Sequence, residues 1–210
     1  MTQENKLNLL FKDYFSLYSP SLSKGVALLE MLLAPTLKKG ELDLLFNLLC
    51  EEITPYLQDN SSPEEKAEIF RLVLFDKLKF KIESLTEDKQ LSLKQAIRTR
   101  KATPMFMGVI YLLLAQNFHT PAFLALSKGK IIVCFNREYN FPSVYIEMAG
   151  NCSSTTAGET YGAKQGGGDF QILSNKQIIK YLLSNLIYLY TKQKADDKKQ
   201  QIQTFLENYL

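Results

Sequence analysis

The sequence predicts an α+β protein with a helical N-terminal region, a central buried helix packed on a small antiparallel sheet, and a C-terminal helical hairpin. Three observations carry this prediction. Apolar residues recur at helical spacing through roughly the first half of the chain. A run of eleven residues without a charge, MFMGVIYLLLA, then begins at Met105. Short aliphatic and aromatic segments, separated by turn residues, follow this run and have the composition of strands.

Five helices are predicted in the N-terminal region, residues 1–98. Apolar stripes at helical spacing predict the first three, over 7–18, 23–33 and 42–53. The fourth begins at Ser62, because Pro63 suits the first helical position and Glu65 completes a capping box with the serine. The fifth and weakest lies in the segment EDKQLSLKQAIRTR.

The charge-free run predicts a helix over 104–118 at the centre of the molecule. Thr103 is its N-cap and Pro104 its first residue. A helix that is apolar on every face is buried on every face, and this one is shorter than the roughly 20 apolar residues that a membrane span needs. His119 follows, where an imidazole stabilises a helix C-terminus through the helix dipole. We therefore expect a structural role for His119 rather than a catalytic one.

Four short segments after the central helix predict an antiparallel sheet: AFLAL, KIIVCF, SVYIEM and FQIL. Ser174 then caps a long helix, with Gln177 at the capping-box position, and a last helix has its apolar residues within 202–209. These two helices form the predicted hairpin, 174–210. The central helix and the sheet form the predicted core, 99–173, and we expect all three regions to make one compact unit.

The composition is that of an ordinary globular protein, and it excludes several classes of function. Hydrophobic residues make up 46% of the chain, charged residues make up 22%, and the net charge is only +3. A nucleic-acid-binding surface usually carries a much stronger positive charge. The N-terminus lacks the basic and apolar regions of a secretory signal, so we expect a cytoplasmic protein without a membrane partner.

The supply of cysteine and histidine limits metal and redox chemistry. Cys50, Cys134 and Cys152 lie far apart without CxxC spacing, and His119 is the one histidine of the chain. A single histidine rules out a His-rich metal site, and the spacing of the cysteines favours reduced thiols. We therefore expect no cofactor. Cys50 and Cys134 lie beside or within predicted apolar segments, so both are interpreted as packed core residues.

The segment with the most chemical functionality is AGNCSSTTAGETYGAKQGGGD, residues 149–169. A phosphate-binding P-loop needs GxxxxGK[ST] followed by a helix, whereas here the lysine precedes the glycines and a predicted strand follows. Turns that need positive φ explain the glycines better. We expect 151–168 to be a mobile loop. Its candidate site residues are Cys152, Tyr161, Gly166, Gly167 and Gly168.

The order of the local motifs carries a family resemblance. RTRKATP (98–104) precedes the central helix and FHTP (118–121) ends it. KGKIIV (128–133) and YIEMAG (145–150) are the next strand segments, and LSNKQIIKYLLSNLIYLYTKQ opens the hairpin. In this order and spacing the chain resembles the bacterial transglutaminase-like family of the SirB type over most of residues 40–210. The resemblance implies the transglutaminase-like fold, in which a buried helix leads into an antiparallel sheet. It also implies that the loop 151–168, which follows the second of these strands, borders the cleft.

The resemblance also implies where a catalytic triad would stand. Active enzymes of this superfamily use a cysteine at the N-terminus of the central helix, a histidine on the sheet and an aspartate on the next strand. Carried over by position, these fall at Met105, Lys130 and Glu147. A thioether forms no acyl-enzyme, and a lysine is a cation at neutral pH. The resemblance therefore implies a catalytically silent module for an unknown protein or peptide, and facing strands predict an ion pair between Lys130 and Glu147.

Two other functions stay open at this point. The first is a divergent transglutaminase-like cysteine hydrolase or acyltransferase that uses Cys152 with His119, although no sequence feature brings these side chains together. The second is a nucleic-acid contact through Arg98, Arg100 and Lys101. Three basic residues at a helix end are more often a solvated cap, so no nucleic-acid partner is expected. The oligomeric state has no sequence signal.

Overall fold

The computed structural model of the protein describes residues 3–35, 38, 40–138, 141–148, 154–156 and 171–207. Within these residues most of the chain is helical. The α-helices are α1 (Gln3–Ser16), α2 (Leu22–Leu33), α3 (Glu41–Ile53), α4 (Pro63–Arg71), α5 (Leu93–Thr99), α6 (Pro104–Asn117), α7 (Asn175–Gln193) and α8 (Asp196–Glu207).

The strands of the described residues form two sheets. A two-residue parallel ladder pairs β1 (Lys81–Ile82) with β2 (Lys101–Ala102). The larger sheet is antiparallel, with the order β6-β5-β4-β3-β7. Its strands are β3 (Ala122–Ser127), β4 (Lys130–Glu138), β5 (Phe141–Glu147), β6 (Ser154–Thr156) and β7 (Gln171–Leu173). The predicted α+β class, with an antiparallel sheet and a C-terminal helical pair, is confirmed.

Helix α6 lies at the centre of the molecule, as predicted. Every residue in 105–115 is buried. Thr103 Oγ1 accepts a hydrogen bond from the Phe106 amide at 3.3 Å, so the predicted N-cap is present. The sheet covers one side of α6, and aromatic rings from α4 and the segment after it contact Tyr111 on another side. Among the described helices, none combines the length and the apolar character that a membrane span requires.

Gly108 allows α6 to lie close against the sheet. A methyl group at this position would overlap the side chain of Leu124 on β3 and lie 3.6 Å from Val133 Cγ2 on β4. A larger residue would force the helix away from both strands or displace the leucine. The absence of a side chain at Gly108 therefore helps to set the distance between the central helix and the sheet.

The buried carboxylate of Glu30 joins α2 to α5. It accepts a hydrogen bond from Ser92 Oγ at 2.9 Å and another from the amide of Leu93. These donors stand at the N-terminus of α5, where amides have no partner inside the helix. Burial raises the pKa of Glu30, although the hydrogen bonds and the nearby Lys94 ammonium act in the opposite direction. This long-range cap has no signal in the local sequence.

The C-terminal hairpin packs on the N-terminal helices. Phe11 of α1 and Phe205 of α8 stack with their ring centroids 5.0 Å apart. Gly25 of α2 lies so close to α7 that a methyl group there would be 2.5 Å from Ile179 Cγ1. Residues from both ends of the chain therefore belong to the same apolar core as α6.

The predicted fifth helix is shorter in the structure. The segment EDKQLSLKQAIRTR forms a 3₁₀ turn, Asp88–Leu91, and then α5, which Ser92 caps. Helix α4 begins with the predicted capping box and continues into a π-helical segment, Leu72–Lys77. Strands β1, β2 and β6 were not predicted, because two or three residues are too few to show a period.

Candidate functional site

A cleft of about 420 Å³ opens beside the N-terminus of α6. The start of α6, the turn into β4, the end of β5 and one face of α7 line it. Met105, Lys130 and Glu147, which the sequence analysis singled out, all lie in this lining. The fold thus brings together three residues that are far apart in the sequence.

Met105 is the second residue of α6 and is 1% exposed. The first amides of a helix have no partner inside the helix, and their dipoles stabilise a thiolate at such a position. A methionine sulfur carries no proton to lose, so it gains nothing from these dipoles. The Met105 side chain therefore supplies no nucleophile at the N-terminus of α6.

The predicted ion pair between Lys130 and Glu147 is confirmed. Lys130 Nζ lies 2.9 Å from Glu147 Oε2. The two side chains are 51% and 23% exposed, so solvent screens much of their attraction. Glu147 pairs with Ile132 in the register of β4 and β5, which puts Glu147 on the same face of the sheet as Lys130.

The same register places other side chains against α6. Val133 faces α6, so the alternation of β4 puts Ile131 on that face and Lys130 on the opposite one. The Met148 amide donates a hydrogen bond to the Ile131 carbonyl at 2.9 Å. Ile131 and Met148 are buried in the same apolar cluster as Met105. Two apolar side chains, which the sequence analysis missed, therefore face the helix N-terminus.

Helix α7 forms a further wall of the cleft. Tyr181, Asn185 and Tyr188 lie on one helix face, and the two tyrosines are 37% and 57% exposed. Lys192 follows one turn later, with its Nζ 4.5 Å from the centroid of the Tyr188 ring. The sequence analysis missed this wall because it considered only the buried stripe of α7. Two tyrosines at i and i+7 on the solvent side were the available signal.

His119 lies at the other end of α6 from the cleft. A helix rises about 1.5 Å per residue, so Met105 lies about 18 Å from Asn117, the last residue of α6, and His119 follows Asn117 by two residues. His119 is exposed and has a φ of 49°, a left-handed conformation that commonly ends helices. Lys66 Nζ donates a hydrogen bond to the Phe118 carbonyl at 3.1 Å. Lys66, which the sequence analysis did not consider, thus places a cation at this helix end.

Two cysteines are core residues, as predicted. Burial raises the pKa of the Cys50 thiol to about 11 and that of Cys134 to about 12. Buried, protonated thiols are poor nucleophiles. Residues 154–156 lie within the predicted mobile loop 151–168, but they form β6 and pair with β5, so this part of the loop prediction was wrong. The rest of 151–168 lies outside the described residues, and so do the loop candidates Cys152, Tyr161, Gly166, Gly167 and Gly168.

The three basic residues around the end of α5 have local partners. Arg98 Nη2 lies 3.1 Å from Glu41 Oε1, and Lys101 Nζ lies 2.8 Å from Glu83 Oε1. The guanidinium carbon of Arg100 lies 5.1 Å from the centroid of an aromatic ring. These contacts favour a structural role for all three side chains.

Comparison with known proteins identifies the family to which the chain belongs. Neither the curated proteins nor the solved structures include a significant match. A sequence model of the transglutaminase-like superfamily matches residues 41–184, well over half of the chain. The matched region includes α6, the strands of the large sheet and the first half of α7. With its buried helix leading into an antiparallel sheet and a cleft at the helix N-terminus, the chain belongs to the transglutaminase-like superfamily.

Proposed function

We propose that this protein is a catalytically silent, cytoplasmic member of the superfamily, of the SirB type, whose cleft binds a segment of a partner protein. One observation carries the proposal: the cleft holds no nucleophile and base at the positions where a triad needs them. Met105 occupies the start of α6. On the sheet, the triad positions correspond either to Lys130 and Glu147 or to Ile131 and Met148, and neither pair contains an imidazole. Both assignments leave the histidine position without an imidazole.

The lining of the cleft supports peptide binding. Tyr181 and Tyr188 expose much of their rings, and clustered exposed apolar surface commonly marks a binding site. Tyrosines supply contact area at a low cost in conformational entropy. Two methionines, Met105 and Met148, lie deeper in the lining and adapt to differently shaped ligands.

Thiol reactivity tests the absence of catalysis. The native protein is treated with iodoacetamide, and labelled cysteines are located by mass spectrometry. We expect Cys50 and Cys134 to stay unlabelled, because both are buried and protonated. Cys152 is expected to react at the rate of a free cysteine, with a pH dependence centred near about 8.5. Rapid labelling of Cys152 at about pH 6 would instead support the divergent cysteine hydrolase or acyltransferase.

A peptide library displayed on phage tests the binding function. Peptides enriched on the wild-type protein are synthesised and their dissociation constants measured on two variants. Tyr181→Arg alters the cleft and is expected to weaken binding by about tenfold or more. Tyr18→Arg is the control, because Tyr18 is fully exposed, lies just after α1 and is outside the cleft. If no enriched peptide is sensitive to Tyr181→Arg, the proposed function is wrong.

A further inference from the structure

Four side chains of α7 form a stripe beside the cleft: Tyr181, Asn185, Tyr188 and Lys192. Intervals of four, three and four residues keep them on one helix face. The first three line the cleft, and the lysine ammonium lies over the Tyr188 ring. The opposite face of α7 is buried in the core. We refer to these four residues as the α7 stripe.

The spacing of the two tyrosines suits one type of extended backbone. Tyr181 and Tyr188 are about 10.5 Å apart along the axis of α7. A polyproline II helix has three residues per turn and a rise of about 3.1 Å, so residues i and i+3 share a side about 9.3 Å apart. A β-strand puts residues on the same side about 6.6 or 13 Å apart. Among extended backbones, polyproline II therefore matches the two rings best.

Asn185 favours an extended ligand over a helical one. It lies between the two tyrosines, and its side-chain amide forms no hydrogen bond within the described part of the chain. Its amide both donates and accepts. A polyproline II segment has no internal hydrogen bonds, so its backbone groups need outside partners, whereas an α-helix satisfies its own. An α-helix would repeat at the tyrosine spacing but would leave the Asn185 amide unused.

Lys192 adds a charge preference at one end of the stripe. It is exposed, and within the described part of the chain it forms no ion pair. It follows Tyr188 by one helical turn, about 6 Å, which is the rise of two polyproline II residues. On the facing wall Lys130 is already paired with Glu147. An acidic ligand residue therefore complements Lys192 if it lies two positions beyond the ligand residue that packs on Tyr188.

We propose that the cleft binds a segment of a partner protein in the polyproline II conformation, with two prolines three residues apart and an acidic residue two positions further, at the Lys192 end. The prolines pack on Tyr181 and Tyr188, and Asn185 binds a backbone group between them. Aromatic grooves bind such segments well because the ligand is ordered before it binds. The proposal rests on the proposed peptide-binding function and specifies the ligand.

The test uses two synthetic probes, acetyl-Pro-Pro-Ala-Pro-Pro-Glu-amide and the peptide of reversed sequence, because the chain direction of the ligand is open. Dissociation constants are measured by calorimetry on the full chain. Tyr181→Ala and Tyr188→Ala are each expected to weaken binding by about tenfold, and Tyr18→Ala to leave it unchanged. Tyr188→Phe keeps the ring and is expected to stay within about threefold of wild type. Replacing Glu by Lys in the bound probe is expected to weaken binding by about threefold or more.

Circular dichroism of each variant tests whether a loss of binding reflects a loss of folding. The substituted tyrosines are exposed, so we expect every variant to fold. Failure of both proline probes, with phage peptides that lack proline still sensitive to Tyr181→Arg, overturns the inference and leaves the proposed function standing. Binding of a proline probe that neither alanine variant changes also overturns it. Failure of every peptide at the cleft overturns the inference and the proposed function together.

Discussion

Glu30 shows how one buried residue joins distant parts of the chain. Glu30→Ala leaves the Ser92 hydroxyl and the Leu93 amide unpaired in the core, so we expect the free energy of unfolding to fall by about 2 to 4 kcal/mol. Glu30→Gln keeps a carbonyl acceptor for the amide and an amide donor for the hydroxyl, so its loss should stay within about 1 kcal/mol. Urea unfolding measures both. Equal losses would contradict a role based on hydrogen bonding.

The pH dependence of stability isolates the charge of Glu30. Burial raises its pKa above the ordinary value of 4.5 in the folded protein. The stability contributed by the protonated form is therefore fully present below about pH 4.5 and is lost as the pH rises through the folded pKa. Relative to Glu30→Gln, wild type should become more stable as the pH falls from 7 towards 4.5. The ion pair between Lys94 and Glu41, at 2.7 Å, is present in both proteins and cancels in the difference, whereas the attraction of Lys94 for the Glu30 carboxylate is part of the measured effect. A pH-independent difference would contradict the raised pKa.

At the scale of elements, α6 is the test of the central packing. Val109 is fully buried in the middle of the helix. Val109→Asp is expected to destabilise the protein by about 4 kcal/mol or more, because the new carboxylate would be buried among apolar side chains without an ion-pair partner. Val109→Ala is the matched control and should cost about 1 to 3 kcal/mol from lost packing alone. A soluble Val109→Asp protein that melts like wild type in a thermal scan would show that α6 is not the core.

The elements that the sequence predicts well are those with several agreeing local signals. Helix α4 has the capping box of Ser62 and Glu65, and α6 has its cap and its charge-free run. The start of α5 was harder to predict, because the distant Glu30 satisfies its first amides. In the site, the order of motifs located Met105 and the ion pair. The wall from α7 was missed, because which helix crosses a cleft depends on tertiary packing rather than on a local pattern.

At the scale of the whole molecule, three sequence regions share one core. The sheet contributes Phe135, whose ring centroid lies 6.2 Å from that of Phe70 on α4. The hairpin contributes Phe205, which stacks on Phe11 of α1. Residues 1–98, 99–173 and 174–210 each supply side chains to the apolar cluster around α6. Destabilising one region should therefore destabilise the others.

Phe205→Ala tests this coupling. Removing the fully buried ring should lower the free energy of unfolding by about 3 to 5 kcal/mol. If the protein unfolds as one unit, far-UV circular dichroism and the exposure of the buried Cys134 thiol should report the same urea midpoint, and both should shift together. Thiol exposure is followed by alkylation and located by mass spectrometry. Tyr18→Ala, at an exposed position, should move neither midpoint. A Phe205→Ala protein whose helical signal falls early while Cys134 keeps its wild-type midpoint would mean that the hairpin folds apart from the sheet.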